Sequence, residues 1–186
     1  MRRIFWLTAG AILLSVRAGF AQQPPAPPAG VKTPAIDCNW LTVDTTTRTA
    51  TFELIAGLTG LNGALNFNGF KDGGLTLTVP LNWTVVMSFT NHDGMLPHSA
   101  EIIDSVKPLP AQPVDPAFPR AVTVRLAEGL APEQKDSFRF IASKAGSYLV
   151  FCGVPGHGLA GMWIRFAVSP ADKRPKLTSS AAEAGR

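Results

Sequence analysis

From Trp83 to Thr90 the chain alternates, with Val86 the one apolar residue on the polar side. Trp83, Val85, Met87 and Phe89 fall on one side, and Thr84, Val86, Ser88 and Thr90 on the other. A period of two is the mark of a strand with one buried face. Thr49 to Leu54 repeats it, with Ala50, Phe52 and Leu54 opposite Thr49, Thr51 and Glu53. Leu75–Val79, Ala121–Leu126, Ser137–Ile141, Ser147–Cys152 and Trp163–Val168 read similarly, with Gly, Pro and Asn clusters between them. No long amphipathic helix competes, and Glu128 to Lys135 has room for a single short turn. Seven or more short strands predict an all-β fold, a Greek-key sandwich or closed barrel built as one domain.

With 186 residues, 46% hydrophobic and 16% charged, the chain can bury a sizeable core and lacks the composition of a disordered one. Its net charge of +4 is uneven. Arg2, Arg3 and Arg17 lie in an acid-free first twenty-one residues, so 14 of the 17 basic side chains remain against 13 acids, a net +1. No dense Lys/Arg cluster is left, and nucleic acid is not expected as a partner.

Residues 1–21 read as a secretory signal. Arg2-Arg3 precedes an apolar run from Ile4 to Val16, and Gly19-Phe20-Ala21 places small residues where a signal peptidase inspects them. The run is short for a membrane anchor, which is the competing reading. The paired arginines also suggest twin-arginine export. Residues 22–34 open with Gln22 to Gly30, a Pro-rich stretch expected to be an extended, flexible tether. The folded domain is expected over 35–170. Inside it, Val106–Arg120 carries Pro108, Pro110, Pro113, Pro116 and Pro119, which forbid regular pairing and predict a long surface loop covering one edge of the sandwich. Residues 171–186 are polar and expected to be a disordered tail.

The chemistry is concentrated between Tyr148 and Trp163. A strand delivers Cys152 at its end, a Gly/Pro-rich loop presents His157 and Met162, and the next strand starts at Trp163. A lone Cys or Met is ordinarily core filler and a lone His ordinarily structural. Here thiol, imidazole and thioether fall within eleven residues between two strands. These soft-to-borderline donors favour copper, and a weak methionine beside two histidines and a cysteine defines a blue-copper site. Zinc gains little from a thioether.

A second imidazole has to come from elsewhere among His92, His98 and His157. His98 is chosen because it follows the alternating strand ending at Asn91, across a loop able to bring it beside Cys152. His92 is expected to have a surface or supporting role. Ser99 and Asn91 are candidates to hydrogen-bond across to the Cys152 loop and stiffen it. The predicted ligand set is therefore His98, Cys152, His157 and Met162. Three histidines are too few for a multicopper oxidase or a copper nitrite reductase, and one loop cysteine cannot bridge a dinuclear site. The expectation is one mononuclear centre with no open position for substrate, and so no enzyme. Pairing Cys38 with Cys152 would destroy the site, so Cys38 is expected to be a free, buried thiol near Trp40.

Two stretches resemble the sulfocyanins, within the cupredoxin superfamily. One is Leu65-Asn66-Phe67-Asn68-Gly69-Phe70, close to that family's Phe-Asn-Phe-Asn-Gly signature, with Leu65 where phenylalanine is usual. The other is Val154-Pro155-Gly156-His157 with Gly161-Met162-Trp163, close to its Val-Pro-Gly-His…Gly-Met-Trp signature. The spacing of Cys152, His157 and Met162 is also that of rusticyanin-like cupredoxins. The resemblance runs from about Val43 to Val168. It implies a Greek-key sandwich, one type 1 copper, and electron transport in a respiratory chain toward a haem-copper terminal oxidase. Archaeal members are typically membrane-anchored, whereas this N-terminus looks cleavable. Asn66 and Asn68 would equally suit plain turn chemistry between strands.

The function expected is an exported, periplasmic or otherwise extracytoplasmic carrier of single electrons between redox partner proteins, acting as a monomer. Electrons are expected to leave at His157, within an apolar patch of Leu96, Pro97, Val154, Pro155, Gly158 and Leu159. The rival is a periplasmic copper-trafficking protein. Such proteins usually present exposed Met/His clusters, and this chain has four methionines including the first residue.

Overall fold

The computed structural model describes residues 34–180. The expected signal segment and nearly all of the Pro-rich tether lie outside the described residues. A short 3-10 turn, Cys38–Trp40, leads into nine strands: β1 (Leu41–Asp44), β2 (Thr49–Ala56), β3 (Leu75–Pro80), β4 (Thr84–Asn91), β5 (Glu101–Asp104), β6 (Lys135–Ile141), β7 (Gly146–Phe151), β8 (Trp163–Ser169) and β9 (Lys176–Ser179). They form two mixed sheets, β1-β2-β4-β6 and β5-β7-β8-β3-β9. The pairs β2/β4 and β3/β8 are parallel and the others antiparallel. This is the all-β, two-sheet domain that the alternation predicts. Among the described residues no helix is long and apolar enough to cross a membrane.

The alternation decides what is buried. Ala50, Phe52, Leu54 and Ala56 of β2 are buried every second residue, and so are Val85, Met87, Phe89 and Asn91 of β4. With Leu77, Val150, Ile164 and Phe166 of the second sheet, the apolar residues among them form one continuous core. Strand β7 departs from the pattern, because Tyr148 through Phe151 are all buried. Its outer face is covered too, where Ile103, Leu149 and Phe151 form a smaller cluster with Leu109 and Trp163.

Four expectations are corrected. Ala121–Leu126 is not a strand. It runs beside β5 with a single bridge, Glu101 to Val122, and departs before a ladder can form. Of the expected tail, 171–180 are described and are not loose, while 181–186 lie outside the described residues. Residues 176–179 form β9 on the free edge of β3, where Leu177 packs against the core and Lys176 Nζ meets Asp172 Oδ1 at 2.6 Å. Cys38 is free but exposed, and its neighbour Trp40 takes the buried place. The Pro-rich loop does more than cover an edge. The Ala117 N–H donates to the Ile102 carbonyl at 2.7 Å, and Phe118 enters the core at 1% exposure.

Asn66 and Asn68 are fully buried braces rather than plain turn residues. Asn66 Nδ2 donates to the carbonyls of Thr59 and Leu61 at 2.8 and 2.9 Å, and its Oδ1 accepts the Gly69 N–H at 3.0 Å. Asn68 clips the end of β2, donating to Glu53 O at 2.8 Å and accepting from Ile55 N at 3.1 Å. The segment after β2 is thereby fixed against the same end of the sandwich that carries the functional residues.

Candidate metal centre

Strand β7 ends at Phe151, so Cys152 is the first residue past a buried ladder and inherits its rigidity. It is fully buried. Its N–H donates to the Met162 carbonyl at 3.2 Å, and the Met162 N–H donates to the His157 carbonyl at 3.1 Å. The loop between them is closed by its own turns, with His157 N to Val154 O at 3.1 Å and Ala160 N to Gly156 O at 3.0 Å. Its tightest point is Gly158. A Cβ added at Gly158 would collide with the Phe151 ring, so the loop lies directly on β7.

His98 arrives from the other sheet. After β4 the chain turns through Asn91–Pro97, and His98 pairs with Leu130 through bonds of 3.1 and 2.7 Å. Its ring is fully buried. Nε2 lies 2.9 Å from Asp93 Oδ2, while Nδ1 is buried with no hydrogen-bond partner among the described residues.

One donor atom each from His98, Cys152 and His157 lie within 4.8 Å of one another. Cys152 Sγ is 3.7 Å from His157 Nδ1, and the two imidazole rings are 5.2 Å apart, tilted by 58°. Met162 is fully buried beside them in the chain, joined to both Cys152 and His157 through its backbone. His157 is half-buried and is the ring of the group that reaches toward solvent. His92 stands apart, exposed, with Nδ1 3.9 Å from Glu133 Oε1.

The expected supporting residues divide. The Ser99 hydroxyl accepts the Gly153 N–H at 3.1 Å and donates to the Leu126 carbonyl at 2.7 Å, so it does reach the Cys152 loop. Asn91 does not. It holds its own turn, donating to the carbonyls of Leu96 and Leu130, both at 2.9 Å. Asp93 is the functional residue that sequence reasoning misses. Its only signal there is an acid in the His92-Asp93-Gly94 turn, five residues before the histidine it touches.

Electrostatics follow from burial. Desolvation pushes the Cys152 thiol up to about 11, against the N–H groups of Ser99 and Val154 that favour the thiolate. It also lowers both imidazoles. For His98 the Asp93 carboxylate pulls the other way, and for His157 the nearby His98 lowers it further. Burial would raise Asp93, but hydrogen bonds from His98, Met95 and Leu96 hold it below its ordinary value. Burial thus disfavours the charged form of the thiol and of both imidazoles.

The residues fit a soft metal ion. A buried imidazole nitrogen without a partner is expensive unless something binds it. Here that nitrogen converges with a second imidazole and a buried sulfur. Two borderline nitrogens and one sulfur suit copper or zinc, and hard cations are disfavoured.

A family model described as "Sulfocyanin (SoxE) domain" matches residues 37–177. A sulfocyanin from Sulfolobus acidocaldarius is 28% identical over 105 residues, 53% of this chain and 52% of that protein. The chain thus spans about half the length of the curated relative it matches. Among solved structures, rusticyanin from Thiobacillus ferrooxidans is similar at 26% identity and a TM-score of 0.50, over 70% of this chain and 88% of that one.

Proposed function

We propose that this chain, which belongs to the sulfocyanin family, holds one copper ion and carries single electrons between redox proteins outside the cytoplasm. The observation that carries this reading is the convergence of His98, Cys152 and His157 donor atoms within 4.8 Å, two of the three residues being fully buried. His98, Cys152 and His157 would hold the ion, with Met162 as the fourth, weaker ligand. Copper bound there would supply a reversible one-electron couple.

The protein's part is to hold the ligands still. Cys152 and Met162 sit at the ends of paired strands and share a backbone hydrogen bond. His98 is pinned by Leu130 and Asp93. A site that barely moves between oxidation states needs little reorganisation, which favours fast transfer. Cys152 is fully buried within the apolar core cluster, a setting that keeps water from it and disfavours the more charged oxidised state.

His157, half-buried, is the proposed exit for the electron. Leu159 at 53% exposure, Leu96 at 38% and Met95 at 86% supply exposed apolar surface on the loops that carry the two histidines. Val154 and Pro97 both lie against Gly129, so these loops adjoin. Such a surface suits brief docking of a redox partner, and a haem-copper terminal oxidase is the acceptor we favour, with the carrier acting as a monomer. Localisation beyond the cytoplasm rests on the signal-like N-terminus.

The test is an optical spectrum of the protein loaded with Cu(II) and then reduced. The expected result is an intense thiolate-to-copper band in the visible, bleached on reduction and absent from Cys152→Ser. A colourless protein that binds only Cu(I) would replace this reading with copper trafficking, and no copper binding would overturn it.

A further inference from the structure

We propose that Asp93 is the positioning residue for His98, its carboxylate fixing the tautomer that turns a bare Nδ1 into the site and its charge strengthening His98 as a donor. The tautomer and the charge are separable claims, and the second rests on the copper reading above.

A carboxylate only accepts hydrogen bonds. With Asp93 Oδ2 2.9 Å from His98 Nε2, the ring proton must sit on Nε2. Nδ1 is then left with a lone pair, and it is the ring nitrogen that has no partner among the described residues. A backbone carbonyl could fix the same tautomer, but it carries no charge. An anion in that place makes the imidazole more basic, and it favours whichever state of the site is more positive.

Asp93 is itself held too firmly to be a surface acid that happens to lie nearby. It is 7% exposed. Its other oxygen accepts the N–H groups of Met95 and Leu96 at 2.8 and 3.3 Å, and its own N–H donates to Asn91 Oδ1 at 3.0 Å. Room for it is made on the far side by Gly57. A Cβ at that position would lie 2.7 Å from Asp93 Cβ and 3.0 Å from its backbone, and φ there is +66°. The Gly57 N–H in turn donates to the Asn66 carbonyl at 2.9 Å. The braced Asn66 segment therefore reaches His98 through Gly57 and Asp93, which gives that motif a mechanical link to the site.

His157 has no such support. Among the described residues no acid hydrogen-bonds its ring, its Nδ1 faces Cys152 Sγ at 3.7 Å, and it is half-exposed. The two imidazoles thus divide the work: His98 is the anchored, charge-supported ligand and His157 the exposed one.

The experiment begins with the metal-free protein, labelled with 15N at histidine and observed by long-range 1H–15N correlation at neutral pH. Wild type is expected to show His98 with Nε2 protonated and Nδ1 bare. Asp93→Ala should lose that preference, while Asp93→Asn, whose amide oxygen still accepts, should keep it. An unchanged His98 tautomer in Asp93→Ala would overturn the positioning claim. The copper-loaded protein then tests the charge. Asp93→Ala is expected to weaken copper binding by roughly 10–100-fold. Asp93→Asn should keep the visible band and raise the reduction potential. A tenfold loss of preference for the oxidised state would read as ~59 mV for one electron. An unmoved potential would overturn the charge claim, and this arm serves even if Asp93→Ala does not fold. A wild-type protein that pins the tautomer yet binds no copper would sink the copper reading and the charge claim together, leaving the positioning claim supported.

Discussion

The Ser99 hydroxyl joins the residue after His98 to the residue after Cys152, accepting the Gly153 N–H at 3.1 Å while donating to the Leu126 carbonyl at 2.7 Å. Gly153 is buried, and no other acceptor competes for its N–H in the described hydrogen bonds. In Ser99→Ala that donor is left without a partner. The expected loss is about 1–3 kcal/mol of stability, because a buried unsatisfied group forfeits its desolvation energy. Urea denaturation of the metal-free protein measures it. A loss below about 0.5 kcal/mol would mean that water replaces the hydroxyl and that the two loops are not joined through it.

Glu101 makes stability depend on pH in the unusual direction. It opens β5, is fully buried, and neither carboxylate oxygen has a hydrogen bond of ordinary geometry. Burial pushes its pKa from 4.5 to about 7, opposed only by the Val114 N–H. Among the described residues no charged side chain offsets the cost of ionising it. Between 4.5 and 7 the unfolded chain has released this proton and the folded chain retains it, so stability falls as pH rises through that window and levels off above 7. The contribution is on the order of 3 kcal/mol, from about 1.4 kcal/mol per pKa unit. Denaturation midpoints from pH 4 to 8 should fall in wild type and fall much less in Glu101→Gln, which should be the more stable protein at pH 8. Parallel profiles would contradict this.

Gly158 is expected to be among the least substitutable positions of the loop. A Cβ there would collide with the Phe151 ring, which is 1% exposed and packed with Ile103 and Leu149. Neither side can yield cheaply, so Gly158→Ala should displace the His157 turn. Overpacking of this kind costs about 1–3 kcal/mol. Copper affinity and visible absorption should change together with thermal stability. The solvent-facing neighbour Leu159→Ala, where the side chain is half exposed, should leave stability within about 0.5 kcal/mol. Equal behaviour of the two variants would remove the packing explanation.

What the sequence discloses and what it hides divide along contact range. β2 and β4 are readable because a two-sheet sandwich imposes its own period on residues next to each other in the chain. Cys152 and His157 are readable because one loop carries them, and His98 because it follows a clean strand. Asp93 is not, since its role depends on a turn folding back by five residues and on space left by Gly57. Cys38 is misjudged for a related reason: cysteine composition favours burial, but in this turn Trp40 fills the space. β9 is polar in sequence and forms because β3 offers an unpaired edge, which no local pattern announces.

Phe118 shows the same limit and gives the sharpest stability test. Five prolines mark its loop as irregular, and a regular pattern is what the eye uses to find core residues. Yet Phe118 is 1% exposed, stacks on Phe140 at 5.1 Å and 23°, and meets Tyr148 at 4.7 Å and Phe166 edge-on at 6.2 Å. Its carbonyl accepts the Ala121 N–H at 3.1 Å, and the adjacent Ala117 N–H reaches β5. The loop is therefore anchored by an aromatic side chain lodged between the sheets. Phe118→Ala should cost about 3–5 kcal/mol, as for any large aromatic removed from a packed core. Val114→Ala in the same loop, 40% exposed, should cost little. Because Phe118 touches β6, β7 and β8 at once, its removal should also speed proteolysis of the 106–120 segment, readable as a time course with a nonspecific protease. Comparable stability and cleavage for the two variants would mean that the loop is held by its backbone alone.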